Sequence, residues 1–106
     1  MSAIYKYRIE VDLETKTMYV KLPKSATVIS VMLEDIYTAY IYAIVDPTEK
    51  EFYKREILWL GTGWELSKDQ ISKINYYTFL GTYKVENLVY HFWIAPDEAF
   101  DFLLEF

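Results

Sequence analysis

Apolar and polar residues alternate through most of this chain, and the alternation predicts strands. Tyr5, Tyr7, Ile9 and Val11 interleave with Lys6, Arg8 and Glu10, the pattern of one strand with a single wet face. Asp12 to Lys16 is polar and predicts a turn. Met18, Val20 and Leu22 then alternate with Thr17, Tyr19 and Lys21, which predicts a second strand paired to the first as a hairpin. Pro23-Lys24 stops it. Ala26 to Leu33 is apolar on both faces and predicts a third strand, followed by a short acidic turn at Glu34-Asp35. Ile36 to Val45 predicts a fourth, central strand. Asp46 to Lys50 is a turn by composition. Phe52 to Leu60 predicts a fifth strand, with Arg55, Ile57 and Trp59 on one side of it.

After Gly61-Thr62-Gly63 the period changes. Ser67-Lys68-Asp69-Gln70 has the form of a capping box, a serine at the cap and a glutamine three residues on. It predicts a short helix over about 67–75. Tyr76 to Val85 and Leu88 to Ala95 return to strand, joined by a turn at Glu86-Asn87. Pro96-Asp97-Glu98 has the proline and acids of a helix start. A C-terminal helix would place Phe100, Leu103 and Leu104 on one face. That stripe predicts packing on the chain's own sheet or pairing with a second copy as a homodimer. The expected fold is mainly β: about seven strands in an antiparallel sandwich or small barrel, in one domain over 1–106 with an apolar tail at 96–106.

Composition narrows the chemistry. Hydrophobic residues make up 53% of the 106, enough to fill one core without metals or disulfides. With no cysteine, the sequence offers no disulfide, thiolate metal site or cysteine nucleophile. The net charge of −5 argues against duplex nucleic acid as a partner. No apolar run approaches the roughly 18 residues of a membrane span, and Met1 to Lys6 lacks the apolar stretch of a signal peptide. A single histidine and scattered carboxylates predict neither a metal site nor a cofactor. The serines sit in no nucleophile elbow, so the expectation is a protein that is not an enzyme.

The distinctive motif is a tripeptide used twice. Leu60-Gly61-Thr62 and Leu80-Gly81-Thr82 contain two of the three glycines, and Gly63 is the third. Glycine inside a strand marks a bulge, a bend or a close backbone approach. The backbone N–H groups of Gly61-Thr62-Gly63 are candidates to hold a phosphate, with Trp59 and Trp64 as stacking surfaces. Lys54, Arg55 and Lys68 are the nearest bases in sequence. They are suited either to neutralising a phosphate or to forming a solvated edge. His91 and Trp93 alternate with Tyr90 and Phe92, which predicts that the histidine faces away from the core. The candidate ligand-binding set is Trp59, Gly61, Thr62, Gly63, Trp64 and His91.

The order Ile4-Tyr5-Lys6-Tyr7, Leu22-Pro23-Lys24, Ala43-Ile44-Val45-Asp46, Gly61-Thr62-Gly63, Leu80-Gly81-Thr82 and Val89-Tyr90-His91-Phe92 resembles a family of small phage and prophage proteins. Ser25 departs from that family, which has glycine there, and the tail from Pro96 extends beyond the family's usual end. The resemblance implies a phage origin and a small β-rich fold, and a small phage protein is expected to be produced in the host cytoplasm. The leading functional expectation is a non-enzymatic anti-defence protein that sequesters a nucleotide-derived signalling molecule. The alternatives are a protein-binding inhibitor of a host defence complex, of the anti-CRISPR type, and a virion accessory protein.

Overall fold

The computed structural model describes residues 1–97. These form eight strands and one helix: β1 Ala3–Arg8, β2 Glu10–Asp12, β3 Thr17–Pro23, β4 Thr27–Asp35, β5 Thr38–Val45, β6 Phe52–Gly61, α1 Lys68–Tyr76, β7 Thr78–Val85 and β8 Leu88–Ile94. The strands make two antiparallel sheets, of order β1-β5-β4 and β2-β3-β6-β8-β7. The expected C-terminal helix, its stripe of Phe100, Leu103 and Leu104, and all of the tail beyond Asp97 lie outside the described residues.

The first predicted strand is two. β1 pairs with β5 in the smaller sheet, and β2 pairs with β3 in the larger. The chain changes sheets at Ile9, which is buried and whose N–H donates to the Ala39 carbonyl at 2.9 Å. Tyr5 and Val11 therefore do not share the inward face expected of one strand, and both are exposed. Splitting at Ile9 raises the strand count from about seven to eight.

The core lies between the sheets. Tyr7, Val31, Ala39, Ile41, Ala43 and Val45 face Val20, Leu22, Ile57, Phe92 and Ile94. Val20, Leu22, Ile41, Ala43 and Phe92 are completely buried, as period-two alternation requires on each inner face. β6 and β7 both run antiparallel to β8 and lie on either side of it. They are therefore parallel to each other, and α1 is the crossover between them. The Ser67 hydroxyl accepts from the Gln70 N–H at 3.1 Å, and the Gln70 side chain accepts from the Ser67 N–H at 2.9 Å, so the capping box is formed. α1 packs on β6, where Leu58 and Leu60 are buried although they point away from the core. Nothing comparable covers the outer face of the three-stranded sheet among the described residues.

Candidate functional site

The two Leu-Gly-Thr segments meet at the histidine. Leu60 on β6 and Thr82 on β7 both lie opposite His91 on β8. Thr62 Oγ1 stands 2.6 Å from His91 Nε2, and Thr82 Oγ1 stands 2.9 Å from Nδ1. A neutral imidazole donates from one nitrogen and accepts at the other, and two rotatable hydroxyls satisfy either tautomer. Trp93 flanks the ring at 6.4 Å. This cluster occupies the outer face of the five-stranded sheet, so the expectation that His91 points away from the core holds.

The glycines serve close packing. Gly61 is buried, and a Cβ added there would meet the Trp64 indole at 2.5 Å. Trp64 thus folds back onto the strand that precedes it. Its N–H donates to the Gly61 carbonyl at 3.2 Å, which closes a turn with Gly63 at φ +88°. Positive φ at the third position is the type II pattern, and it favours glycine. Gly81 sits at φ +143° in a bulge between Phe79 and Gly81, and its added Cβ would meet the Tyr83 ring at 2.9 Å. Aromatic rings thus cover the vacancy at both in-strand glycines. Below them Trp59 packs on Tyr90 and Phe92 at 5.6 and 4.7 Å, and Tyr83 on Phe92 at 5.8 Å.

The six candidate residues are therefore neighbours but do not form one recess. Trp59, Gly61 and the Trp64 ring lie on the inner side of the sheet, while Thr62 and His91 lie on the outer. A recess of about 240 Å³ does adjoin the turn, lined by Gly61, Thr62, Trp64, Asn87, Val89 and Tyr90 among others. Those lining residues carry no cation. The Thr62 N–H is spent on the Val89 carbonyl at 2.9 Å and the Trp64 N–H on Gly61, so the turn is a poor cradle for phosphate.

A larger groove, of about 360 Å³, lies where the β2–β3 hairpin, β6 and the chain after β8 come together. Its walls include Thr17, Met18, Tyr19, Lys54, Arg55 and Pro96. Two carboxylates on its rim are already matched. Asp12 pairs with Lys54 at 3.1 Å, and that hydrogen bond, with those from the Thr15 and Glu14 N–H groups, holds its carboxyl below the usual range. Glu56 accepts from Lys73 at 2.9 Å and from the Tyr77 hydroxyl at 3.0 Å. Burial pulls the Lys73 ammonium down, but Glu56 and Asp69 outweigh it and hold it above its ordinary value. Burial first, then the Glu56 charge, push the Tyr77 phenol well up.

Arg55 is different. Its Nε donates to the Ala95 carbonyl at 2.9 Å, and among the described residues no carboxylate lies within ion-pair distance. Burial pushes the guanidinium down from its ordinary value, against a longer-range pull from Asp97. Sequence reasoning sets Arg55 on the same side of its strand as Ile57 and Trp59 and names it as a base near the glycine turn, but not as part of a ligand-binding set. The available signal was its alternation with Ile57 and Trp59, which places a guanidinium on the core side of β6.

Residues 1–100 match the family model described as a domain of unknown function (DUF7352), and the chain belongs to that family. No curated protein and no solved structure matches it.

Proposed function

We propose that this member of the DUF7352 family is a non-enzymatic binding protein that takes up a small anionic ligand of the nucleotide class. The binding site in this proposal is the groove at Arg55, rather than the glycine turn. One observation carries it: a partly desolvated guanidinium faces a groove of about 360 Å³ with its Nε bonded and no carboxylate partner among the described residues. Guanidinium is the side chain best matched to phosphate, because its N–H fork meets two oxygens at once. Met18, Tyr19 and Pro96 supply an apolar wall for a ring, and Thr15 and Thr17 supply hydroxyls. The volume falls within the roughly 300–1,000 Å³ of small-ligand sites, whereas the recess at the glycine turn is below it. In the phage setting that the sequence resemblance implies, the ligand is a nucleotide-derived immune signal held in the host cytoplasm.

Titration calorimetry with AMP, ADP-ribose and a cyclic dinucleotide tests this. At least one is expected to bind with Kd at or below about 100 µM. Arg55→Gln is expected to weaken that ligand about tenfold, the loss of one charge-assisted contact. Absence of heat with all three, or equal affinity in Arg55→Gln, refutes the assignment.

A further inference from the structure

Among the described residues, nothing covers the outer face of the three-stranded sheet, which carries several exposed apolar side chains. Its rows follow from the strand register. Ile4, Ile44 and Thr27 lie side by side, then Lys6, Tyr42 and Ser30, then Arg8, Tyr40 and Met32. Ile4 is 63% exposed, Met32 53%, Ile29 48% and Ile44 40%. Lys6 stands 4.5 Å from the centroid of Tyr40, and the Tyr42 hydroxyl reaches Met32 Sδ at 3.7 Å. Tyrosine, methionine and arginine beside exposed aliphatics make up the composition of an interface centre.

The charges on this face are arranged in a polar fashion. Lys6 and Arg8 lie on β1, and Glu34 and Asp35 end β4; all four are exposed, and Asp35 already accepts from the Tyr37 N–H at 2.7 Å. A two-fold axis lying in the interface and parallel to β5 would set β1 of one copy over β4 of the other. Arg8 would then stand over the partner's Met32, with the partner's Glu34 two residues further on. That separation is about 7 Å along a strand, within the reach of an arginine side chain. The face is thus complementary to itself, as an isologous contact requires. A foreign acidic partner would satisfy Lys6 and Arg8 but would meet like charge at Glu34 and Asp35.

We infer that two copies of this chain associate face to face through the outer surface of β1, β5 and β4. This goes beyond the ligand proposal and does not rest on it, because Arg55 lies on the other sheet. Three strands at about 4.8 Å spacing, each some 20 Å long, offer a contact well under the roughly 800 Å² per partner of a standard interface. The dimer is therefore of the weak, reversible kind.

Sedimentation velocity on the full chain from about 5 to about 500 µM reads this directly. The expected result is a concentration-dependent monomer–dimer equilibrium. Met32→Glu should abolish it while shifting thermal unfolding of the monomer only slightly, since Met32 is more than half exposed. Arg8→Glu should weaken it about tenfold, because two symmetry-related contacts are lost, and Arg8→Glu with Glu34→Arg should recover it to within about threefold. A chain that stays monomeric throughout, or a dimer that Met32→Glu leaves intact, overturns the inference. Failure of the charge-swapped pair to recover what Arg8→Glu loses overturns the two-fold arrangement.

Discussion

Gly61→Ala tests whether the first glycine exists to seat a tryptophan. The backbone at Gly61 is not in the positive-φ region, so alanine meets no conformational strain of its own. Its methyl group, however, would lie 2.5 Å from Trp64 Cε2 and 2.6 Å from Nε1. Indole and methyl cannot share that space, so Trp64 must leave the strand. Trp64 is 55% exposed and so buries a little under half of its surface. Half of the roughly 200 Å² a tryptophan can bury, at about 25 cal/mol per Å², is about 2.5 kcal/mol, an upper bound for losing the contact. Against this, alanine restricts the unfolded chain and contributes about 0.4–1 kcal/mol in the other direction. The net expectation is a loss of at most about 1.5–2 kcal/mol. A double-mutant cycle isolates the cause. In a Trp64→Ala background the clash is gone, so Gly61→Ala should become stabilising by about 0.4–1 kcal/mol. Urea unfolding of the four proteins, followed by circular dichroism, supplies the free energies. An equal loss in both backgrounds refutes the reasoning and places the obstruction in the backbone.

Two further substitutions probe backbone and charge. Ser25 holds φ +64°, a left-handed conformation that costs an L-residue about 1–2 kcal/mol, while its N–H donates to Asp97 Oδ2 at 3.1 Å. Ser25→Gly keeps that N–H and removes the strain, so urea unfolding should show a gain of about 0.5–1 kcal/mol after the added chain entropy of glycine. A loss would mean that the serine side chain contributes something beyond the turn. Tyr77 and Lys73 both have folded-state pKa values raised above their ordinary ones. A raised value means that the folded protein holds the proton more tightly. The contribution is full below the unfolded pKa and is lost as pH climbs through the folded one. Stability should therefore fall above about pH 10, and Tyr77→Phe should make that fall shallower. Urea midpoints measured from about pH 8 to about pH 11 check this, and an unchanged slope refutes it.

What the chain determines locally was legible in its order of residues. Alternation located the strands, because side chains on extended backbone change face at every residue. The serine and glutamine of the capping box located the helix start, because both partners lie within one turn. Alternation also placed Arg55 beside Ile57 and Trp59, and that is where the groove's one cation without a carboxylate partner among the described residues stands. The tertiary structure decided the rest. Nothing near Ile9 signals that the strand changes sheets there, since the carbonyl that receives its N–H, at Ala39, lies thirty residues away. The meeting of Thr62 and Thr82 on His91 depends on β8 inserting between β6 and β7. The burial of Gly61 depends on Trp64 turning back over it. Periodicity encodes which face a residue takes, a property of its immediate neighbours. Which strands pair, and which ring fills which vacancy, is set by burial summed over the whole core, and residues far apart in the chain contribute to that sum together.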